Sequence, residues 1–244
     1  MIGEIMSQRK LIAEGKTSQI YLKDSYVYKV FSASYPSSWI LKEVEINNEV
    51  RNNTKLCVVH NEFIKETNEI KMEYIEGKTL GDRIKKDKYK NALDDLIDLQ
   101  LSIYKYKNLK LPNAKVSLRE RIIDSKLEKE IKNKALIALD KIPSSNNLCH
   151  FDIHLLNIMF ENQKYYIIDW VNAKNSHPIL DIARTYVILK QYASRQSNKY
   201  LKLIIKKGGF DEELVTPAVT VMATLRLLDN DTNTFKSNLY ELII

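Results

Sequence analysis

The chain has 244 residues, room for one or two compact domains with a buried core. Its 44% hydrophobic and 28% charged residues are the composition of a soluble globular protein, and no apolar run approaches the ~18 residues that span a bilayer. The net charge is +7, but Lys alternates with Glu and Asp and no nucleic-acid motif accompanies it, so neither a nucleic-acid nor a membrane partner is expected.

Met1-Ile2-Gly3-Glu4 has no basic region leading into an apolar stretch, so no signal peptide is expected. Cys57 and Cys149 are far apart and outside any metal-ligand spacing, which predicts reduced, mostly buried thiols and a cytoplasmic protein. The first third reads as sheet: β-prone runs at Lys10–Ala13, Ser18–Leu22 and Tyr26–Phe31 are punctuated by Gly15 and Asp24-Ser25. Pro36-Ser37-Ser38 opens a helix to about Asn52, and strands follow around Cys57–Lys65 and Glu69–Ile75 before Gly77.

Beyond Gly77 the period becomes helical. Leu93, Ile97, Leu101 and Tyr104 mark one face of a helix. Ser117 to Glu120 and Ser125 to Glu128 both fit a capping box, which predicts helix starts there. An irregular stretch, Leu148–Phe160, precedes a strand at Tyr165–Asp169, and helix resumes from about Pro178. The expected fold class is α+β, with residues 1–76 a sheet-rich N-terminal lobe of five strands and one helix, and 77–244 a larger, mainly helical C-terminal lobe.

The chemistry concentrates in His150-Phe151-Asp152-Ile153-His154-Leu155-Leu156-Asn157 and in Ile167-Ile168-Asp169-Trp170. Asp152 and Asn157 sit on a loop between apolar runs, and Asp169 closes an apolar strand. Phosphoryl transfer needs these residue types: a carboxylate to orient the attacking hydroxyl and take its proton, and hard oxygen donors for Mg²⁺ against the phosphates. Lys29 lies inside the apolar run Tyr26–Phe31, where an ammonium is costly unless it meets an anion. Glu43, Glu45 and Glu49 on the following helix are all available to it; Glu43 has Ile46 and Val50 on its own side.

The H-x-D-x-x-x-x-N spacing followed by Ile-Asp-Trp resembles the aminoglycoside phosphotransferase and small-molecule kinase family, which shares its fold with protein kinases. The resemblance implies a two-lobed kinase-like fold, ATP (or GTP) and Mg²⁺ as cofactors, Asp152 as catalytic base, and Asn157 and Asp169 as metal ligands. It extends over nearly the whole chain. Glu14 to Tyr21 resembles the phosphate-covering turn, with one glycine, Gly15, and with Thr17 and Ser18 as candidate phosphate donors. Lys29 takes the place of the phosphate-binding lysine, and Glu43 matches the family's spacing to its helix glutamate. Lys71 to Leu80 resembles the hinge, where backbone groups of Glu73, Tyr74 and Ile75 would meet the base, with Met72 beside them. Asp181 resembles the aspartate that holds the catalytic loop by its amides; Arg184 reads equally well as a surface residue.

Phe151 and Leu155-Leu156 depart from the family, which commonly has Gly and Pro-Gly there. They alter loop packing and remove no reactive group. His150 is expected to brace the loop; for His154, packing is favoured over lining the acceptor site. Only about ten residues separate Asp169 from the next helix and no Ala-Pro-Glu element follows, which argues against an atypical protein kinase; with Asp152, Asn157, Asp169 and Lys29 all present, a catalytically dead nucleotide-binding module is disfavoured too. A small-molecule hydroxyl acceptor is therefore expected. From Gly208 onward Asp211, Glu212, Glu213, Asp229, Asp231 and Glu241 outnumber Arg226 and Lys236, which favours a cationic acceptor such as an aminoglycoside.

Overall fold

In chain order the strands are β1 (Lys10–Glu14), β2 (Ser18–Lys23), β3 (Tyr26–Phe31), β4 (Asn61–Ile64), β5 (Glu69–Glu73), β6 (Lys78–Thr79), β7 (Asn147–Cys149), β8 (Ile158–Glu161), β9 (Lys164–Ile167) and β10 (Lys174–Ser176). The helices are α1 (Ser37–Asn53), α2 (Leu80–Asp87), α3 (Ala92–Ile103), α4 (Ala114–Ile123), α5 (Lys129–Lys141), α6 (Pro178–Tyr192), α7 (Ser194–Gly208), α8 (Val215–Arg226) and α9 (Lys236–Glu241). This computed structural model describes residues 9–15 and 17–244; Met1-Ile2-Gly3-Glu4, read above for a signal peptide, and Lys16 of the phosphate turn lie outside the described residues. Packing divides the chain into two units, one of residues up to Leu80 with Ile158–Val171, the other of Gly81–Asn157 with Asn172–Ile244.

In the first unit, five antiparallel strands form a sheet in the order β1-β2-β3-β5-β4. Asp24 and Asn68 turn two of its hairpins at φ 54 and 55, a region these short polar side chains tolerate. Helix α1 starts behind Pro36, whose φ of −64 suits a helix entry, and buries Ile40, Val44, Ile46, Asn47 and Val50 at helical spacing. Ile40 and Val44 pack with Phe31 and Ile70, flanked by Tyr35, Phe63 and Met72. The strand expected from Cys57 begins only at Asn61. The reason is local: the buried Asn47 side chain donates to the Val59 carbonyl at 2.9 Å, so a helix amide, not a neighbouring strand, satisfies it.

A smaller sheet, β6-β8-β9, completes this unit. Gly77 precedes it because no other residue fits: a Cβ there would lie 2.1 Å from the Phe160 carbonyl oxygen. The strand expected to reach Asp169 stops at Ile167.

The second unit is built round α6, buried along Pro178–Ala183 and Thr185–Leu189 and packed against α7 and α8. Burial on nearly all sides marks it as the centre of a helical core. The buried face of α3 runs through Leu96, Ile97, Gln100, Ile103 and Tyr104, whereas Leu93 and Leu101 are only half-buried. Neither expected capping box caps a helix. Asn113 caps α4, accepting from the Val116 amide, and Ser117 lies inside that helix. Ser125 donates to the Ile122 carbonyl, closing α4 rather than opening α5. Both cysteines are free; Cys149 is buried, which pushes its thiol well up, and Cys57 is half-buried. No helix among the described residues is long and apolar enough to cross a membrane.

Candidate active site

The first unit holds a lysine, a glutamate and an aspartate among the candidate residues. Lys29 sits in β3 between Val30 and Tyr28, paired in register with Ile20 and Ile70. Its ammonium donates to Glu43 Oε1 at 2.6 Å, with the two side chains 18% and 10% exposed. Of the three glutamates on α1, Glu43 is the one that meets it; Glu45 is exposed and Glu49 half-buried. Burial pushes the Glu43 carboxyl up, and the nearby Asp169 charge adds to this; the Lys29 ammonium pulls down by less. The buried pair therefore holds a carboxylate under desolvation stress beside a cation that can serve a second anion.

Asp169 lies just beyond β9 at φ 65, between the buried Ile167 and Trp170. The Trp170 indole donates to the Ile167 carbonyl at 2.8 Å, closing a tight turn that leaves the Asp169 carboxylate exposed. An aspartate adopts this left-handed backbone more readily than a branched residue would. In the β1–β2 turn, the Gly15 amide donates to the Ser18 carbonyl at 2.8 Å, Thr17 is exposed and Ser18 is buried. A Cβ on Gly15 would make only ordinary contacts, so the turn itself does not demand glycine. In the hinge segment, Met72 pairs with Val27 and Asn61, Glu73 pairs with Tyr26, Ile75 is buried, and the Tyr74 amide donates to the Ser25 carbonyl at 3.1 Å. That amide is already engaged, which shifts any base-edge bonding toward the neighbouring backbone groups.

The second unit, described by itself, carries the loop His150–Asn157, held by a buried polar network. Asp181, fully buried in the first turn of α6, accepts the Phe151 amide at 2.5 Å on Oδ1. Its Oδ2 accepts the Tyr104 hydroxyl at 2.8 Å and the Gln100 amide at 3.1 Å. Thr185, one turn further along α6, donates to the Ile153 carbonyl at 3.1 Å and accepts from Gln100 at 3.1 Å. The Tyr200 hydroxyl donates to Gln100 Oε1 at 2.5 Å. Burial pushes the Tyr104 and Tyr200 phenols well up, and Asp181 adds to it, so both remain donors. Two backbone positions flanking Asp152 are thus pinned by side chains that water does not reach.

Above this network, His150 Nδ1 accepts the Asp152 amide at 3.2 Å and His154 Nδ1 accepts the Leu156 amide at 3.2 Å. The Asn157 side-chain amide donates to the Asp152 carbonyl at 2.9 Å. The Asp152 carboxylate is half-buried, with His154 Nε2 3.9 Å from one oxygen and an Arg184 nitrogen 4.0 Å from the other. Phe151 takes φ 61, the conformation that makes glycine the easier residue at this place.

The acidic tail has partners of its own. Asp229 accepts from Arg121 at 2.8 Å, Arg184 at 3.0 Å and Arg226 at 2.9 Å. Burial alone would raise its carboxyl, but Arg184, Arg226 and Arg121 together hold it below the usual range. Arg226 also binds Asp231 at 2.9 Å, and Asp211 caps the Glu213 amide at 2.9 Å. Three of the carboxylates that pointed to a cationic acceptor are therefore engaged within the protein.

Among the described residues no group of three or more His, Cys, Asp and Glu could hold a metal unaided. Mg²⁺ does not require one, being bound through one or two protein oxygens with substrate phosphates completing its shell. Taken each in its own unit, Asp169 presents an exposed carboxylate, and the bond from Asn157 Nδ2 to Asp152 leaves Oδ1 as the acceptor atom of Asn157. Sequence reasoning gave no role to Gln100, Tyr104, Thr185 and Tyr200. The available signal was Gln100, a polar side chain among the apolar positions of α3.

The sequence model of the phosphotransferase enzyme family matches residues 10–214. The chain belongs to that family, the aminoglycoside phosphotransferase and small-molecule kinase group. No curated protein matches the chain. Among solved structures, the aminoglycoside phosphotransferase APH(4)-Ia superposes with a TM-score of 0.68 at 12% identity, covering 99% of this chain and 97% of that one. Choline kinase LicA from Streptococcus pneumoniae superposes with a TM-score of 0.63 at 17% identity, over 98% and 94%. The streptomycin–ATP complex of APH(2")-IIa gives 0.62 at 15% identity, over 100% and 97%. The fold is thus the two-lobed, kinase-like α+β fold expected from the sequence.

Proposed function

We propose that this protein is a cytoplasmic small-molecule kinase that transfers the γ-phosphoryl group of ATP, or GTP, to a hydroxyl of a small acceptor. The observation that carries the reading is the Lys29–Glu43 pair, a strand lysine held at 2.6 Å by a helix glutamate as phosphate-binding lysines are in kinases. Solved neighbours support nucleotide use by analogy: one APH(4)-Ia structure is a complex with AMP-PNP and hygromycin B.

In this reading Lys29 binds the α- and β-phosphates, and Glu43 keeps its ammonium aimed. The turn at Gly15, Thr17 and Ser18 covers the phosphates with amides and hydroxyls. Met72 to Ile75 hold the base, with the Tyr74 amide excepted. Asp169 and Asn157 hold Mg²⁺, which when bound neutralises charge on the phosphates. Asp152 accepts the proton of the attacking hydroxyl, kept in place by the pinned loop. Because Asp229 and Asp231 are bound by arginines, attraction of a cationic acceptor would fall to the exposed Glu212 and Glu213, where screening makes it weak. Of the acceptor, the reaction itself requires only a hydroxyl.

Purified protein with Mg²⁺ and ATP or GTP, screened against aminoglycosides, amines and sugars, tests this by acceptor-dependent ADP or GDP release. Release that depends on acceptor and disappears in Lys29→Ala supports the reading. Release unchanged in Lys29→Ala would overturn it.

A further inference from the structure

Asp152 has a cationic neighbour that its own loop does not supply. Arg184, three residues after Asp181 on α6, places one nitrogen 4.0 Å from Asp152 Oδ1 and 3.0 Å from Asp229 Oδ2. The Arg184 side chain is 13% exposed, so bulk water screens it little. Asp229 is fixed in turn by Arg226 at 2.9 Å and Arg121 at 2.8 Å, and Arg226 is fixed by Asp231 at 2.9 Å and Gln191 at 2.8 Å. Three guanidiniums thus meet two carboxylates in this cluster, and Arg184 is the one whose nitrogen also approaches Asp152.

Resting on the reading of Asp152 as base, we infer that Arg184 is a positioning residue for Asp152 and that Asp229 sets its aim. At 4.0 Å the guanidinium lies beyond hydrogen-bond distance. It orients the carboxylate by charge without covering the oxygen that must receive a proton. A closer arginine would bind that oxygen outright, and the bond to Asp229 holds Arg184 back from it. The opposite oxygen, Oδ2, has His154 at 3.9 Å. The two carboxylate oxygens therefore have different neighbours, which favours one rotamer of Asp152 over its alternatives. Misplacement of a reacting group by about 1 Å can cost on the order of 100-fold in rate, so this control has a measurable consequence.

The alternative is that Arg184 only ties α6 to the segment after α8. Four variants separate the two: Arg184→Ala, Arg184→Lys, Asp229→Asn and the Arg184→Ala/Asp229→Asn double, with Asp152→Asn alongside. The probe is Mg²⁺·ATP with water as acceptor, followed by phosphate release, together with crystal structures of wild type and Arg184→Ala. The inference expects Arg184→Ala to lower kcat by about 10- to 100-fold with the KM for ATP unchanged. It expects added guanidinium ion to restore part of that loss, Arg184→Lys to fall between, and the double variant to be no worse than the more damaged single. In the crystal the Asp152 carboxylate should leave its wild-type rotamer. A folded Arg184→Ala with wild-type kcat, additive losses in the double variant, or an unmoved Asp152 would overturn the inference. Should Asp152→Asn turn over normally, the base assignment itself fails; if it is inactive while Arg184→Ala is normal, only the role of Arg184 falls.

Discussion

The Asp181 carboxylate accepts the Phe151 amide at 2.5 Å, so the helix that follows Asp169 in sequence holds the loop that carries the proposed base. The same carboxylate accepts from Tyr104 and Gln100, three donors on one fully buried group. Asp181→Asn replaces one acceptor oxygen by a donor and sets it against another donor. Leaving a buried polar group unpaired costs about 1–3 kcal/mol, more where charge is involved. Urea unfolding of Asp181→Asn is expected to show a loss in the upper part of that range, with a fall in kcat at temperatures where the variant remains folded.

Glu43 should impose a pH dependence on stability. Burial raises its carboxyl above the ordinary value of 4.5, more than the Lys29 ammonium lowers it. The folded state therefore binds a proton in a range where the unfolded chain has released it. The stabilisation is complete below the unfolded value and is lost as pH rises through the folded one. Glu43→Gln has no such proton to lose. Urea melts across the weakly acidic range should show wild type losing stability relative to Glu43→Gln as pH rises; an identical slope in both would refute the assignment.

Asp152→Asn and Asp169→Ala should separate base from metal. Removal of a positioned general base typically lowers turnover by about 10²- to 10⁴-fold, so Asp152→Asn should lose that much while binding Mg²⁺·ATP normally. Asp169→Ala should lose the Mg²⁺-dependent part of nucleotide affinity. Calorimetry with and without Mg²⁺ reads the difference: equal ATP affinity in wild type and Asp169→Ala, with metal present, removes Asp169 from the site.

Phe151→Gly sets two effects against each other. Glycine relieves a left-handed backbone that costs other residues about 1–2 kcal/mol. It also deletes a buried ring, a change that typically costs about 3–5 kcal/mol when Phe becomes Ala. The ring should win. Thermal or urea unfolding is expected to show a net destabilisation of about 2 kcal/mol, and a more stable variant would show that the backbone strain dominates.

The strands of the first sheet were legible because each is a short β-prone run ended by a turn residue with its own mechanism, as Asp24 shows at φ 54. The His150–Asn157 loop was legible because its spacing resembles that of the family to which the chain belongs. What the sequence concealed are relationships that only packing creates. Ser117 and Ser125 have the composition of helix caps, but Asn113 satisfies the amides at the start of α4 and Ser125 closes that helix instead. The buried stripe of α3 is turned toward Leu96 and Gln100 because Gln100 must reach Asp181, Thr185 and Tyr200. The acidity of the tail was real, but its meaning depended on Arg121 and Arg184, which are far from Asp229 in sequence.

The pairing of β6 with β8 has a practical consequence for dissecting the molecule. The first unit is assembled from two stretches of chain, up to Leu80 and Ile158–Val171, so three peptide linkages join it to the second. A fragment ending near Gly77 or Leu80 would lack the β8–β9 hairpin, the strand partner of Lys78–Thr79 and the Asp169 turn together. Expressing that fragment alone should give an aggregation-prone species with an unpaired strand edge. A viable isolated version would need the hairpin grafted back through a linker, and a protease nick between the units would leave two further covalent ties intact.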